Sequence, residues 1–231
     1  MAFTKTQSAK LVEQILASYD ENATTVRLFQ DQLVAALTSS SDLSRCVHSM
    51  KTRLKDREHL KEKLFRKMRE CKESGEVFDV TPENLLTKVN DLAGVRILHL
   101  YTRQIRDIDV ALRSIFGEQK YDLLEGPLAR TWDDESREFF KSCGIDTQQS
   151  PTMYTSVHYV IGSASRTTVT CEIQVRTLME EVWGEVDHTI NYPTPTTVLS
   201  STEQLKVLAR VTSSATRLVD SIFFTHESSE S

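Results

Sequence analysis

Alternating polar side chains in two neighbouring segments could form a binding surface for a charged ligand. Glu172, Gln174 and Arg176 recur at every second position, with apolar residues between them. Because successive side chains of a strand point to opposite faces, this pattern predicts one apolar face and one face with a carboxylate, an amide and a guanidinium. The preceding strand-like segment places Tyr154 and His158 on one face in the same way. Two polar rows side by side would suit a metal-bound phosphorylated ligand.

A second carboxylate, Asp91, stands at the start of another strand-like segment, Leu92–Leu100. Asp91 and Glu172 on neighbouring strands could hold Mg²⁺ through oxygen ligands and leave positions for water and substrate phosphates. Asp91 could equally be a turn or capping residue, and a polar outer face is usual for a half-solvated sheet. The spacing alone leaves both interpretations open.

Positive charge is concentrated in one stretch of the chain, from Arg45 to Lys72. This stretch has eleven Lys and Arg residues against four Asp and Glu residues, an excess of seven, although the whole chain has a formal net charge of −5. We expect the stretch to bind an anionic group. The alternative is a solvated helix face with ion pairs one turn apart.

Composition and length limit the class of protein. The chain has 231 residues, of which 39% are hydrophobic and 26% charged, which predicts one globular domain, or one with a helical appendage. No apolar run approaches the roughly 18 residues of a membrane span, and Met1–Leu11 lacks the apolar stretch of a secretory signal. The four cysteines are scattered, without Cys-x-x-Cys spacing. We therefore expect a cytoplasmic protein with reduced thiols and no membrane contact.

Hydrophobic periodicity predicts helices on both sides of the polar strands. At the N-terminus it indicates two helices, or one broken near Asn22. Further helices are predicted over 57–72 (ended by Gly75), 82–88, 106–116 (capped by Gly117), 134–143, 177–188 and 202–224. Strands are predicted over 92–100, 154–161 and 168–176, the last two forming a hairpin. The rest of 121–153 is expected to be loop.

Four short motifs resemble those of the RelA/SpoT-type alarmone synthetase domain. They stand in that family's order, and the resemblance covers roughly residues 47–218. The motifs are Arg53-Leu54-Lys55 with Lys63 and Arg66, Asp91-Leu92-Ala93-Gly94-Val95-Arg96, Tyr154-Thr155-Ser156-Val157-His158, and Glu172-Ile173-Gln174-Val175-Arg176-Thr177.

The resemblance implies an α/β (α+β) fold of the nucleotidyltransferase type, with a mixed sheet of about five strands flanked by helices. The chain would divide into a helical segment (1–44), the synthetase core (45–200) and a C-terminal helix with a short flexible tail (201–231). The implied reaction is the Mg²⁺-dependent transfer of the β,γ-pyrophosphate of ATP to the 3′-hydroxyl of GDP or GTP, giving ppGpp or pppGpp and AMP.

The resemblance also implies roles for individual residues. Two arginines, 53 and 96, would sandwich the adenine, and the other cations on the ATP side would neutralise the triphosphate. Asp91 and Glu172 would hold Mg²⁺, and Glu172 would also accept the proton of the attacking hydroxyl. The residues assigned to ATP are Arg53, Lys55, His59, Lys63, Arg66 and Arg96.

On the acceptor side, the resemblance implies that Tyr154 stacks on the guanine, while His158, Gln174 and Arg176 position the acceptor or brace the site. This half departs from the family pattern. Met153 stands before the stacking tyrosine where the family usually has Gly, and the preceding region is acidic where the family is basic. On the ATP side, one departure is His59, which replaces a common Ser.

These departures keep other functions open. One is a toxin-like pyrophosphokinase that acts on adenosine nucleotides or on the 3′ end of tRNA, with the basic stretch contacting the RNA backbone. Another is a non-catalytic nucleotide-sensing module. The length suggests a single-domain small synthetase, or a fragment of a longer protein. A homo-oligomer and an antitoxin partner are further possible associations.

Overall fold

A six-stranded mixed sheet forms the centre of this computed structural model, which describes residues 5–192 and 194–229. Its strands follow the order β1-β2-β6-β5-β3-β4 across the sheet. β2 is parallel to β6 and β3 to β4, whereas the other neighbours are antiparallel. The expected mixed α/β architecture is confirmed, with one strand more than predicted. The strands are β1 (Ser49–Leu54), β2 (Ala93–His99), β3 (Asp122–Thr131), β4 (Asp146–Gln149), β5 (Ser156–Gly162) and β6 (Thr170–Thr177).

Helices flank the sheet. α3 begins where Asp56 accepts hydrogen bonds from two backbone amides, and it ends at the predicted Gly75, which adopts a left-handed conformation (φ 76°). No helix in the described ranges is both long and apolar enough to span a membrane. The helices are α1 (Lys5–Ser39), α2 (Ser41–Cys46), α3 (Arg57–Ser74), α4 (Leu85–Lys88), α5 (Ile105–Gln119), α6 (Asp134–Ser142), α7 (Leu178–Asn191) and α8 (Leu199–Ser229).

Some predicted helix boundaries are wrong. α1 is one unbroken helix through Asn22, whose side-chain amide donates to the Ser18 carbonyl one turn earlier (2.8 Å). Gly117 lies inside α5, which ends at Gln119 and is capped by Lys120 in a left-handed conformation (φ 57°). α8 continues to Ser229, into the segment expected to be a flexible tail, whose last residues, 230–231, lie outside the described part of the chain.

Three strands, β1, β3 and β4, have no clear signal in the sequence. β1 is an edge strand whose middle residues, 51–53, are all exposed, so it shows no alternation of buried and exposed positions. β3 and β4 occupy the region expected to be loop, around the correctly predicted α6. β1 and β4 are the two edge strands, and β3 pairs with both β4 and β5. Strands of this kind depend on backbone pairing with their neighbours, which a single-segment pattern does not report.

The two faces of the sheet differ as predicted. On β6, Cys171, Ile173 and Val175 are buried in the apolar core, which α1 and α5 cover on this face. Glu172 and Gln174 lie on the other face, and Gln174 pairs with His158 of β5. The predicted antiparallel hairpin is therefore confirmed, and its polar rows lie side by side. Helix α7 packs against β2 and β6.

Glu180, in the first turn of α7, is a buried carboxyl group between the sheet and α8. It lines a small cavity together with the buried His99. Burial raises the pKa of Glu180 from 4.5 to about 8, although Arg176 acts in the opposite direction and Asp133 adds to the rise. The folded protein therefore holds a proton at neutral pH that the unfolded chain releases.

We expect this proton to make folding less favourable as the pH rises from about 4.5 to about 8. One pKa unit corresponds to about 1.4 kcal/mol. Glu180→Gln should therefore raise the free energy of unfolding relative to the native sequence by clearly more at pH 8.5 than at pH 5. Urea denaturation at both pH values measures this difference. An equal effect at the two pH values would contradict the assignment.

Candidate active site

The polar face of the sheet is the floor of a cleft with a volume of about 710 Å³, within the range of small-molecule sites. Its walls come from β1 and from α7. Seven of the twelve predicted site residues line the cleft. The five that do not are Lys55, His59, Lys63, Arg66 and His158. The lining residues are Lys51, Thr52, Arg53, Asp91, Gly94, Val95, Arg96, Thr152, Tyr154, Glu172, Gln174, Arg176, Trp183, Gly184, Glu185, Asp187, His188, Asn191 and Tyr192.

Asp91, just before β2, is bound by two lysines. Lys55 Nζ lies 2.8 Å from Oδ2, and Lys63 Nζ, from α3, lies 2.6 Å from Oδ1. The Arg53 guanidinium is 3.8 Å from the same carboxylate. Burial opposes ionisation, but Lys63 and Lys55 outweigh it and lower the pKa of Asp91 to about 2. Asp91 is therefore ionised at neutral pH.

Glu172, in β6, is held by the next strand and by its own strand. His158 Nδ1 is 2.9 Å from Oε1, and the Gln174 amide donates to Oε2 at 3.0 Å. Burial by itself would raise the pKa of Glu172. The hydrogen bond and charge of His158 outweigh burial, so the pKa lies below its usual value. An ionised Glu172 can only accept, so Nδ1 carries the proton. His158 Nε2 is buried and has no hydrogen-bond partner among the described residues.

The two carboxylates, Asp91 and Glu172, have the chemistry of a Mg²⁺ donor set. Asp91 and Glu172 both line the cleft, and the Asp91 charge acts on the pKa of Glu172. Mg²⁺ is usually bound through one or two carboxylates together with water and substrate phosphates. Among the described residues, no group of three or more His, Cys, Asp or Glu side chains could hold a metal ion. In such a site Asp91 and Glu172 would supply two ligands, and substrate phosphates and water would supply the others.

Arg96 of β2 is held by two carboxylates of α7. Its guanidinium donates to both oxygens of Glu181 (2.9 and 3.1 Å) and to Glu185 (2.8 Å). Lys51, opposite Arg96 on β1, donates to Glu181 at 2.7 Å. Burial alone would lower the pKa of Arg96, but these carboxylates raise it. A charged guanidinium is thus fixed at the floor of the cleft.

Arg176 lies beneath Tyr154. Its guanidinium carbon is 5.6 Å from the centroid of the tyrosine ring. The side chain is 3% exposed and forms an ion pair with Glu181. Gly184 of α7 leaves room for it, since a Cβ there would lie 2.6 Å from Nη1. The fixed guanidinium therefore supports one side of the Tyr154 ring.

Four predicted ATP-side residues do not line the cleft: Lys55 and Lys63, which bind Asp91, and His59 and Arg66. His59 packs edge-on against Tyr192, with ring centroids 5.2 Å apart. Arg66 is exposed on α3 and lies 3.6 Å from Glu70, one turn away. Arg66 thus lies on a solvated helix face with an ion-pair partner one turn away, as the alternative interpretation of the basic stretch expects.

A family model described as "Region found in RelA / SpoT proteins" matches residues 52–197, which include all of the predicted site residues. The chain belongs to the RelA/SpoT family. The resemblance seen in the four motifs is therefore confirmed.

Solved structures show that this RelA/SpoT family member has the small alarmone synthetase fold. A GTP pyrophosphokinase family protein from Streptococcus pneumoniae matches with a TM-score of 0.64 and 18% identity, over 91% of this chain and 93% of that one. Small alarmone synthetase 2 from Bacillus subtilis matches with a TM-score of 0.60 and 21% identity, over 91% and 98%.

Small alarmone synthetase 1 from the same organism, bound to pppGpp, matches with a TM-score of 0.57 and 20% identity, over 94% and 96%. A comparison with curated proteins finds no match. The family match and these neighbours support a pyrophosphotransferase enzyme.

The motifs of the RelA/SpoT family did not reveal the residues that α7 contributes to the cleft. Gly184, Glu185 and His188 line the cleft. With Glu181, which holds the cleft arginines from α7, they follow the spacing i, i+3, i+4, i+7 and so share one helix face. That periodicity, in a helix directly after the Glu172 strand, was the available signal. Lys51 could have been found only from the pairing of β1 with β2.

We predict that Gly184→Ala displaces the Arg176 guanidinium, which is buried and ion-paired and cannot move away freely. Overpacking of this kind destabilises a protein by about 1–3 kcal/mol. Urea denaturation measures the loss. The matched control is Gly117→Ala in α5, where an added Cβ meets no atom of the described residues within 4 Å, so it should stabilise by about 0.5–1 kcal/mol. Equal effects of the two variants would rule out the steric role of Gly184.

Proposed function

We propose that the protein is an ATP-dependent pyrophosphokinase that transfers the β,γ-pyrophosphate of ATP to the 3′-hydroxyl of GDP or GTP, giving ppGpp or pppGpp and AMP. The observation that carries this proposal is the pair of ionised carboxylates, Asp91 and Glu172, in a cation-rich cleft of the family's fold. Similar structures of small alarmone synthetase 1 were solved with pppGpp and with AMPCPP. These ligands agree with nucleotide substrates.

On the donor side, the cleft offers charge and flat surfaces. Arg53 and Arg96 present planar guanidinium groups that suit an adenine ring. Lys55 and Lys63 adjoin Asp91 and would neutralise oxygens of the triphosphate. Asp91 and Glu172 would hold Mg²⁺, which would stabilise charge on the transferred group. Phosphoryl-type transfer depends mostly on such positioning and charge neutralisation.

On the acceptor side, Glu172 is the base. Its lowered pKa keeps it ionised, and His158 and Gln174 fix the direction of its two oxygens. In that position it would accept the proton of the 3′-hydroxyl as that oxygen bonds to the β-phosphorus of ATP and the bond from this phosphorus to the α-phosphate oxygen breaks, releasing AMP. Tyr154, supported by Arg176, would provide a stacking surface for the guanine.

A second candidate acceptor is an adenosine nucleotide or the 3′ end of tRNA. Exposed basic residues on α3 outside the cleft, including Arg66, Arg69 and Lys72, favour tRNA, because they could contact an RNA backbone. Assembly of the chain into a homo-oligomer and binding of an antitoxin remain predictions.

The test is incubation with Mg²⁺ and ATP labelled on the γ-phosphate, in parallel with GDP, GTP, ADP and deacylated tRNA. We expect label on GDP or GTP and release of AMP, measured by chromatography. Glu172→Gln should lower the rate at least about a hundredfold, as expected for loss of a base. The matched control Glu138→Gln, on the exposed surface of α6, should keep the native rate.

The other outcomes separate the alternatives. If label appears only on tRNA or on an adenosine nucleotide, that molecule is the acceptor in place of GDP or GTP, and the proposed role of ATP as donor stands. Nucleotide binding without any AMP release would indicate a nucleotide-sensing module. A Glu172→Gln variant with the native rate would exclude the proposed base.

A further inference from the structure

Glu181 of α7 is a buried carboxylate that contacts cations from three strands. Its Oε1 accepts from Lys51 of β1 (2.7 Å) and from Arg96 of β2 (2.9 Å). Its Oε2 accepts from Arg96 (3.1 Å) and pairs with Arg176 of β6. A carboxylate has about four acceptor positions. All of them are used within the protein, so Glu181 has no capacity left to bind a ligand directly.

The local structure fixes this carboxylate firmly. Thr177, the last residue of β6, caps α7 by accepting a hydrogen bond from the Glu180 amide (3.2 Å). Glu181 therefore lies near the helix N-terminus, where the helix dipole favours negative charge. The side chain is 7% exposed. Among the described residues, Glu181 is the one acid within ion-pair distance of Arg176, and a buried guanidinium that loses its partner is strongly destabilised.

The two arginines belong to different halves of the cleft. Arg96 lies on the side of β1 and β2, with Arg53, which the proposed function assigns to the donor adenine. Arg176 lies under Tyr154, which the proposed function assigns to the acceptor base. Neutralising Glu181 would leave Arg176 without its ion-pair partner and would remove one of the two carboxylates that hold Arg96. Neutralising the more exposed Glu185 would weaken contacts only to Arg96 and Lys51.

We propose that Glu181 is the positioning residue that joins the two nucleotide sites, by holding the donor-side Arg96 and the acceptor-side Arg176 on one carboxylate. The inference rests on the proposed function. It extends that function, because neither the motifs nor the reaction requires a shared anchor. A shared anchor fixes the two substrates relative to each other, which in-line transfer requires.

The test compares Glu181→Gln with Glu185→Gln, two isosteric changes that each remove one negative charge from the same helix face. Initial rates of AMP release are measured while ATP and GDP are varied separately. We expect Glu181→Gln to raise the KM for both substrates by roughly tenfold, because each nucleotide site loses a fixed guanidinium, and to lower kcat as well, because the two substrates are no longer aligned for in-line transfer. Glu185→Gln should raise the KM for ATP alone.

A purely structural role would lower stability without this pattern, so thermal unfolding is measured for each variant. Should Glu181→Gln fail to fold, Glu181→Asp replaces it, since it keeps the charge but is one methylene too short to reach both arginines. A rise in the KM for ATP alone, or no rise for either substrate, would overturn the proposal.

Equilibrium binding of AMPCPP and GDP, measured by calorimetry, separates this inference from the proposed function. Suppose that the native protein catalyses the reaction and that a Glu181 variant loses affinity for AMPCPP but not for GDP. This result would refute the shared anchor and leave the proposed function standing. If the native protein binds both nucleotides but releases no AMP, the proposed reaction is refuted. The affinities of the Glu181 variant for the two nucleotides would still test whether Glu181 joins the two sites. Native protein that binds neither nucleotide would refute both.

Discussion

Charges that are withdrawn from water must be paired, and the cleft of this protein is organised by that constraint. Asp91 is compensated by Lys55 and Lys63. Glu172 is compensated by His158 and Gln174, and Glu181 by cations of three strands. Each carboxylate is thereby kept ionised in a site that would otherwise favour its neutral form.

This pairing explains why the elements are arranged as they are. The edge strand β1 contributes little to the apolar core, but it carries Lys51 and Arg53 to the same face of the sheet as Arg96. The tight passage from β6 into α7 then places acidic side chains over that face. Strand order and helix placement thus bring opposite charges to one cleft from distant parts of the chain.

The consequence for function is preorganisation. A transfer reaction between phosphorylated nucleotides gains most from charges that are fixed before the substrates arrive. Surface pairs such as Arg66 and Glu70 are screened by solvent and contribute little. The pairs in the cleft are partly or fully buried, so removing one partner leaves the other uncompensated.

The sequence by itself determined the local elements with strong periodicity and the family. The alternation around Glu172 predicted the hairpin and its polar face, and the four motifs indicated that Asp91 and Glu172 share one site. β1, β3 and β4 were not predictable in this way, because their pairing depends on neighbouring strands and not on their own pattern.

Only the tertiary structure decided the partners of the charged residues. Arg176 could have been a ligand contact, but packing against Gly184 and Glu181 makes it a brace for Tyr154. Glu181 meets Lys51 across 130 positions of sequence. Periodicity reports which face a side chain occupies, whereas its partner depends on which distant element packs onto that face.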